Sequence, residues 1–211
     1  CRVEHFPVGV VASIAPFNFP LMVPNWSMPN ALVLGNTMVM KPSELVPLSV
    51  LRMAQLLKEA GLPDGVFNVI NGGKDIVVGI CSHPDIEAVS FVVSTKFPKL
   101  FYQQSTHSLK RCAALGGAKK PLFALPDANP SMTATNVTAS MSGCAGQRCM
   151  AASAMLAVGN VDPIIAQICD EARKIVPGKN LGAVISKAAK ERIEGYITQA
   201  ERDGAKILVD G

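Results

Sequence analysis

The segment Gly146-Gln147-Arg148-Cys149-Met150-Ala151 sets a cysteine directly after an arginine, at the head of an apolar run from Ala151 to Val158. A neighbouring cation and, where such a run is helical, a helix N-terminus both favour thiolate over thiol. A thiolate attacks carbonyl carbon. A buried cysteine beside a surface arginine is the alternative for the same residues. A second group is Pro16-Phe17-Asn18-Phe19-Pro20, where an amide sits between two aromatics in a loop held by two prolines. The Asn18 amide suits donation to a developing oxyanion, or it serves only to turn the loop. The third is Lys41-Pro42-Ser43-Glu44. Lysine and glutamate there suit the ribose hydroxyls of a dinucleotide, and an acidic residue near that ribose favours NAD over NADP. A solvated lysine ahead of a helix-initiating Ser-Glu is the other reading.

These groups need elements to position them. Val8 to Ile14 is a β-branched run that predicts a buried strand, ending in the proline-locked loop. The pattern then predicts a helix over Pro24–Leu34 stopped by Gly35-Asn36, a strand over Thr37–Met40, and a helix over Val46–Ala60 with Gly61 as its stop. Further strands are expected at Val66–Ile70, Ile86–Val93 and Arg111–Leu115, and helices at Asp75–Ser82 and Leu100–Thr106. Strand and helix alternate with short links, which argues for a parallel sheet covered on both faces. Ligands of such sheets bind at the carboxyl ends of the strands, where the loops after the first, second and fourth strands gather.

Beyond Gly116-Gly117 the texture changes, and a domain boundary is placed there, between residues 1–117 and 118–211. The second part reads as a strand over Lys119–Asp127, helices over Ser131–Ser142, Pro163–Val176 and Lys187–Asp203, and a strand fragment at Ile207–Val209. The fold class expected is α/β: a Rossmann-like parallel-sheet domain followed by part of a second α/β domain.

Composition narrows the function. Apolar residues make up 49% of the 211 residues and charged ones 17%, enough for a sizeable core and unlike a disordered chain. The net charge of +4 is scattered, without the basic stripe of a nucleic-acid binder. No apolar stretch reaches the roughly 18 residues of a membrane span. Six cysteines lack zinc spacing, so no metal site is expected; apart from Cys149 they read as small buried hydrophobes of a reducing compartment. The start at Cys1 and the end at Asp210-Gly211, directly after an apolar run, predict a piece of a longer chain.

Taken together, in order and spacing, these segments resemble the aldehyde dehydrogenase superfamily along the whole chain. Pro-Phe-Asn-Phe-Pro at 16–20, Gly-Asn-Thr at 35–37, Lys-Pro-Ser-Glu at 41–44, Pro-Asp-Gly at 63–65, His-Pro-Asp-Ile at 83–86, Pro-Asp-Ala-Asn at 126–129 and Ala-Gly-Gln-Arg-Cys-Met-Ala at 145–151 carry the resemblance. The last is most similar to the CoA-acylating methylmalonate-semialdehyde branch. The resemblance implies a dinucleotide-binding domain in 1–117 and a catalytic domain in 118–211. It implies Cys149 as the nucleophile and Asn18 as the side-chain oxyanion donor. Ala15, Phe17, Lys41, Glu44 and Ser94 would hold NAD, and Arg148 would hold the distal carboxylate of the substrate. A guanidinium fork binds carboxylate bidentately. Coenzyme A would be the acyl acceptor, with loss of carbon dioxide, as in valine catabolism. A homo-oligomer, dimer or tetramer, is implied, in the mitochondrial matrix of a eukaryote or the cytoplasm of a bacterium. A chain of this length on its own is expected to be inactive.

Four departures qualify the resemblance. Val93 and Pro98 stand where the family has glycines around Ser94, and glycine permits close approach of backbone to phosphate. Leu45 replaces an arginine of the branch. Leu115 stands where hydrolytic relatives carry the glutamate that activates water; leucine neither transfers protons nor hydrogen-bonds. Leu115 argues against hydrolysis and suits a thiol acceptor, whereas Val93, Pro98 and Leu45 remove expected cofactor contacts. All four also suit a degenerate subunit kept for binding or structure, against which the intact Asn18, Lys41, Glu44, Arg148 and Cys149 stand.

Overall fold

The computed structural model describes residues 1–94 and 98–210. The chain divides into two compact units, Cys1–Gly117 and Ala118–Gly211. Unit 1 alternates strand and helix: β1 (Val10–Ile14), α1 (Pro24–Val33), β2 (Thr37–Lys41), α2 (Leu48–Glu59), β3 (Phe67–Val69), α3 (Lys74–Ser82), β4 (Ile86–Val92), α4 (Pro98–His107) and β5 (Arg111–Leu115). Its five strands form one sheet in the order β3-β2-β1-β4-β5, with every pair parallel. The chain moves outward from β1 to β3, then returns to β4 on the other side of β1. That reversal opens a crevice at the carboxyl ends of β1 and β4.

Both faces of this sheet carry apolar residues because helices cover both. Met38 and Met40 of β2 pack with Val50 and Met53 of α2 and Met28 of α1. On the opposite face Ala12, Ile14, Val89 and Phe91 pack with Val77 and Ile80 of α3 and Phe101 of α4. Phe91 and Phe101 meet edge to face at 5.9 Å, a favoured aromatic geometry. Two buried polar side chains tie the lower end of the sheet. Lys110 donates from Nζ to the carbonyl oxygens of His83 and Ile86. Asn36 accepts from the Val8 and Gly9 amides at 2.7 and 3.1 Å and donates to the Ala31 carbonyl at 3.1 Å.

Asn36 also explains why β1 begins at Val10 rather than at the expected Val8. The Val8 and Gly9 amides are taken by its carboxamide, and Gly9 has φ +118°, a conformation open to glycine but not to an extended L-residue. Other boundaries of unit 1 shift by a residue or two, and β5 coincides with its expected range.

Unit 2 holds β6 (Lys120–Ala124), α5 (Pro130–Ser142), a 3-10 turn (Gly143–Gly146), β7 (Ala152–Ala157), α6 (Asp162–Ala172) and α7 (Lys187–Arg202). Strands β6 and β7 pair in parallel. Asn129 caps α5 by accepting from the Met132 amide at 3.0 Å, ahead of Pro130 at the first helical position. Leu122, Ala124, Met155, Val161, Ile164 and Ile168 form its core.

Three expectations for this unit are corrected. The run after Cys149 is strand β7, not a helix, because its backbone pairs with β6. Helix α6 ends at Ala172 rather than Val176, because the Asn180 side chain draws the Lys174 carbonyl and Val176 amide into a turn of their own. Ile207–Val209 is not a strand; no ladder among the described residues includes it. Its side chains instead line a cleft with Met155, Ile165 and Ile168.

Candidate active site

In unit 1 the loops at the carboxyl ends of the strands surround a crevice of about 310 Å³. Ala15, Pro16 and Phe17 reach it from β1, Ser43, Glu44 and Leu45 from β2, and Val93 and Ser94 from β4, with Lys41 at the end of β2 itself. All five residues expected to hold a dinucleotide, Ala15, Phe17, Lys41, Glu44 and Ser94, therefore share one cavity. The β3–α3 loop adds Gly73 and α3 adds its first residue, Lys74, both of which the sequence reading passed over. Gly73 is the N-cap of α3, so the first-turn amides of a nine-residue helix start at this crevice. The signal was present as Asn71-Gly72-Gly73 directly after a strand; the rule placing ligands at strand carboxyl ends applies to β3 as much as to its neighbours.

Lys41 closes β2 and is almost wholly buried, yet its Nζ meets Glu44 Oε2 at 2.9 Å. The turn that returns Glu44 is set by the Val46 amide bonding to the Ser43 carbonyl at 3.1 Å, and Ser43 Oγ accepts from the Leu45 amide at 3.3 Å. The Lys41 hydrogen bond holds the Glu44 carboxyl below its ordinary value of 4.5, outweighing the opposing effect of burial. Glu44 is thus a carboxylate at neutral pH and a hydroxyl acceptor beside a fixed ammonium. Its side chain is 57% exposed, so the pair contributes little to stability and mainly fixes geometry.

Asn18 lies in a bend of the same β1 loop, half-buried. Arg148 and Cys149 lie in unit 2, in the turn between the 3-10 segment and β7, where the Ala151 amide bonds to the Arg148 carbonyl at 3.2 Å. Cys149 is partly exposed. The expected helix N-terminus behind its sulfur is absent, since a strand follows it, and that route to a thiolate is withdrawn. Arg148 remains adjacent, folded over Gly143: a Cβ at Gly143 would lie 2.4 Å from Arg148 Nη1, so a larger residue there would push the guanidinium aside. Arg148 makes no ion pair among the described residues.

The remaining cysteines divide. Cys81 is buried and Cys112 partly buried; both thiols are pushed up in pKa, first by burial, and both lie beside the Ser105 hydroxyl. Those two behave as inert core groups. Cys169 is half-buried, and Cys1 and Cys144 are exposed, against the expectation that most cysteines besides Cys149 are buried. Among the described residues no cluster of His, Cys, Asp or Glu could hold a metal ion, and no helix is long and apolar enough to cross a membrane.

The departures now have places. Val93 and Leu45 form part of the crevice wall. Pro98 is the first residue of α4, where a missing N–H costs nothing, and it packs against Gly116. Leu115 ends β5 and is 45% exposed.

A parallel doubly wound sheet with a crevice at the carboxyl ends of its strands, followed by a unit bearing an Arg-Cys turn, defines an α/β protein of the class whose sheets bind ligands at the switch point. The chain belongs to the aldehyde dehydrogenase family, whose pattern matches residues 1–211. It is 43% identical to malonate-semialdehyde dehydrogenase 1 of Geobacillus thermodenitrificans, over 98% of this chain and 44% of that protein. It is equally 43% identical to the mouse protein described as methylmalonate-semialdehyde/malonate-semialdehyde dehydrogenase [acylating], mitochondrial, over 98% of this chain and 40% of the relative. An NAD+ complex of an aldehyde dehydrogenase from Bacillus cereus superposes with a TM-score of 0.93 at 34% identity, over 98% of this chain and 44% of that one. The chain thus spans less than half the length of the relatives it matches.

Proposed function

We propose that these residues carry the cofactor crevice and the nucleophile of an NAD-dependent, CoA-acylating dehydrogenase of malonate or methylmalonate semialdehyde. The gathering of Ala15, Phe17, Lys41, Glu44 and Ser94 around one crevice at the sheet's switch point carries the reading, in a chain 43% identical to proteins named for those substrates.

The residues fit a dinucleotide. The Lys41–Glu44 pair offers one cation and one carboxylate to the two hydroxyls of a ribose, and a carboxylate there repels a 2′-phosphate, favouring NAD. The α3 N-terminus and Ser94 offer donors to a pyrophosphate. NAD, when bound, supplies the two-electron acceptor. The protein's own part begins with the Cys149 sulfur adding to the aldehyde carbon. Asn18 Nδ2 and the Cys149 amide donate to the oxygen on which negative charge grows. Arg148 holds the distal carboxylate through paired N–H bonds. Oxidation of the thiohemiacetal leaves an acyl thioester on Cys149. Leu115 neither orients nor deprotonates water, so the thioester passes to the thiol of coenzyme A. The proton of that thiol passes to Cys149; the carboxylate leaves as carbon dioxide, and the α-carbon that keeps the electron pair as a thioester enolate takes a proton from solvent. A homo-oligomer is proposed for the full chain. A mitochondrial setting, as the mouse relative's description has it, or a bacterial cytoplasmic one is proposed for the full chain.

The test is an incubation of the full native chain with malonate or methylmalonate semialdehyde, NAD and coenzyme A. NADH and acyl-CoA should appear together. NADH without a need for coenzyme A would instead mark a hydrolytic enzyme. A second reading, a subunit kept for binding or structure, is favoured by Val93 and Leu45 in the crevice wall. A calorimetric titration separates the two: NAD binding sets the structural reading aside, and silence supports it. The 211-residue chain alone should show no turnover.

A further inference from the structure

We propose that Gln147 is the positioning residue of the Cys149 turn; this rests on reading Cys149 as the nucleophile. Three successive residues before it, Cys144, Ala145 and Gly146, all have positive φ, at +55°, +53° and +73°. Two of them carry a Cβ, for which the left-handed conformation is strained, and such a run persists only where its surroundings hold it.

The Gln147 side chain does the holding. Its Nε2 donates to the Cys144 carbonyl at 3.0 Å, and its Oε1 accepts from the Ile185 amide at 3.0 Å. The Gln147 backbone amide reaches the same Cys144 carbonyl, also at 3.0 Å. Ile185 immediately precedes Ser186, the N-cap of α7, whose Oγ accepts from the Ala189 amide at 3.2 Å. One carboxamide therefore fastens a left-handed turn to the start of a helix 38 residues further along the chain. Cys149 stands two residues beyond it, separated only by Arg148, which is itself laid over Gly143.

The chemistry calls for an amide at this length. A carboxylate keeps the acceptor for Ile185 but loses the donor to Cys144; asparagine falls a methylene short; alanine offers neither. Releasing the turn would let its strain relax and swing the Cys149 sulfur. A displacement of about 1 Å in a reacting group costs roughly a hundredfold in turnover.

The experiment compares Gln147→Ala, Gln147→Asn and Gln147→Glu with wild type and Cys149→Ala, in the full native chain carrying these residues. Turnover is read with malonate semialdehyde, NAD and coenzyme A, and amide hydrogen exchange is read by peptide. Gln147→Ala and Gln147→Asn should lower kcat by roughly tenfold to a hundredfold with KM for NAD unchanged. Exchange should quicken in residues 143–151 and not in the helices of unit 1. Gln147→Glu, which keeps one of the two bonds, should retain more kcat than alanine. Wild-type kcat in Gln147→Ala overturns the proposal, as does a loss accompanied by faster exchange throughout unit 2, the mark of general destabilisation. Wild-type turnover in Cys149→Ala removes the nucleophile and the proposal with it. A dead Cys149→Ala beside an indifferent Gln147→Ala overturns the positioning role alone.

Discussion

The two units of this chain bury their apolar residues to different degrees. In unit 1 the central strands are covered on both faces, and Phe91 is fully buried between them and α4. In unit 2 the β6–β7 pair packs α6 on one face, while Phe123 and Leu156, paired in register, are 64% and 48% exposed. An α/β unit becomes self-sufficient when crossover helices fall on both sides of its sheet. The first unit meets that condition and the second does not. The crevice proposed for the cofactor is built from strand ends of the covered sheet, and the proposed nucleophile follows a left-handed turn in the other unit.

The largest effect that bears on this division is expected from Cys149→Ala, which should abolish acyl transfer in the full chain and leave NAD binding nearly intact. Loss of NAD binding as well, seen by calorimetry, would mean that the second unit supports the first and is not merely its chemical partner. Asn18→Ala comes next and should lower kcat by about two to three decades, the effect of removing one oxyanion donor; a change confined to KM would make Asn18 a loop residue. Stability sharpens the contrast directly. Phe91→Ala should cost about 3–5 kcal/mol, whereas Phe123→Ser in the 211-residue chain should stay within about 0.5 kcal/mol. Equal losses on denaturant titration would show Phe123 to be covered. Arg148→Lys should weaken carboxylate-bearing aldehydes more than simple ones, because an ammonium cannot make the paired bonds of a guanidinium; equal weakening would free Arg148 from that role.

The smallest effect concerns Glu44. Its folded pKa is depressed by Lys41, so its contribution is complete above the ordinary value of 4.5 and is lost as pH falls through the lower folded value. NAD affinity measured from pH 6 downward should therefore decline only in that acid range. The Glu44→Gln variant should start weaker and lack the step.

Much of unit 1 was legible because its signals are local. Strand β5 falls on its expected residues, and α1 and α2 end where Gly35-Asn36 and Gly61 stop them. The Lys41–Glu44 contact spans three residues and follows from one turn. Gly73 and Lys74 escaped notice because a Gly-Gly after a short strand looks like any loop until the sheet order is known.

The amino-acid order by itself determined the alternation of strand and helix in unit 1, the residues at its strand ends and the Arg-Cys pair, since periodicity, turn residues and motifs act over a few positions. Tertiary structure alone decided that the segment after Cys149 is a strand. Ala152–Ala157 is apolar enough for either state, and pairing with Lys120–Ala124, some thirty residues earlier, selects the extended one. The same long-range contact, with Gln147 reaching Ile185, sets the surroundings of the sulfur, because backbone hydrogen-bonding groups take the partners that folding brings to them.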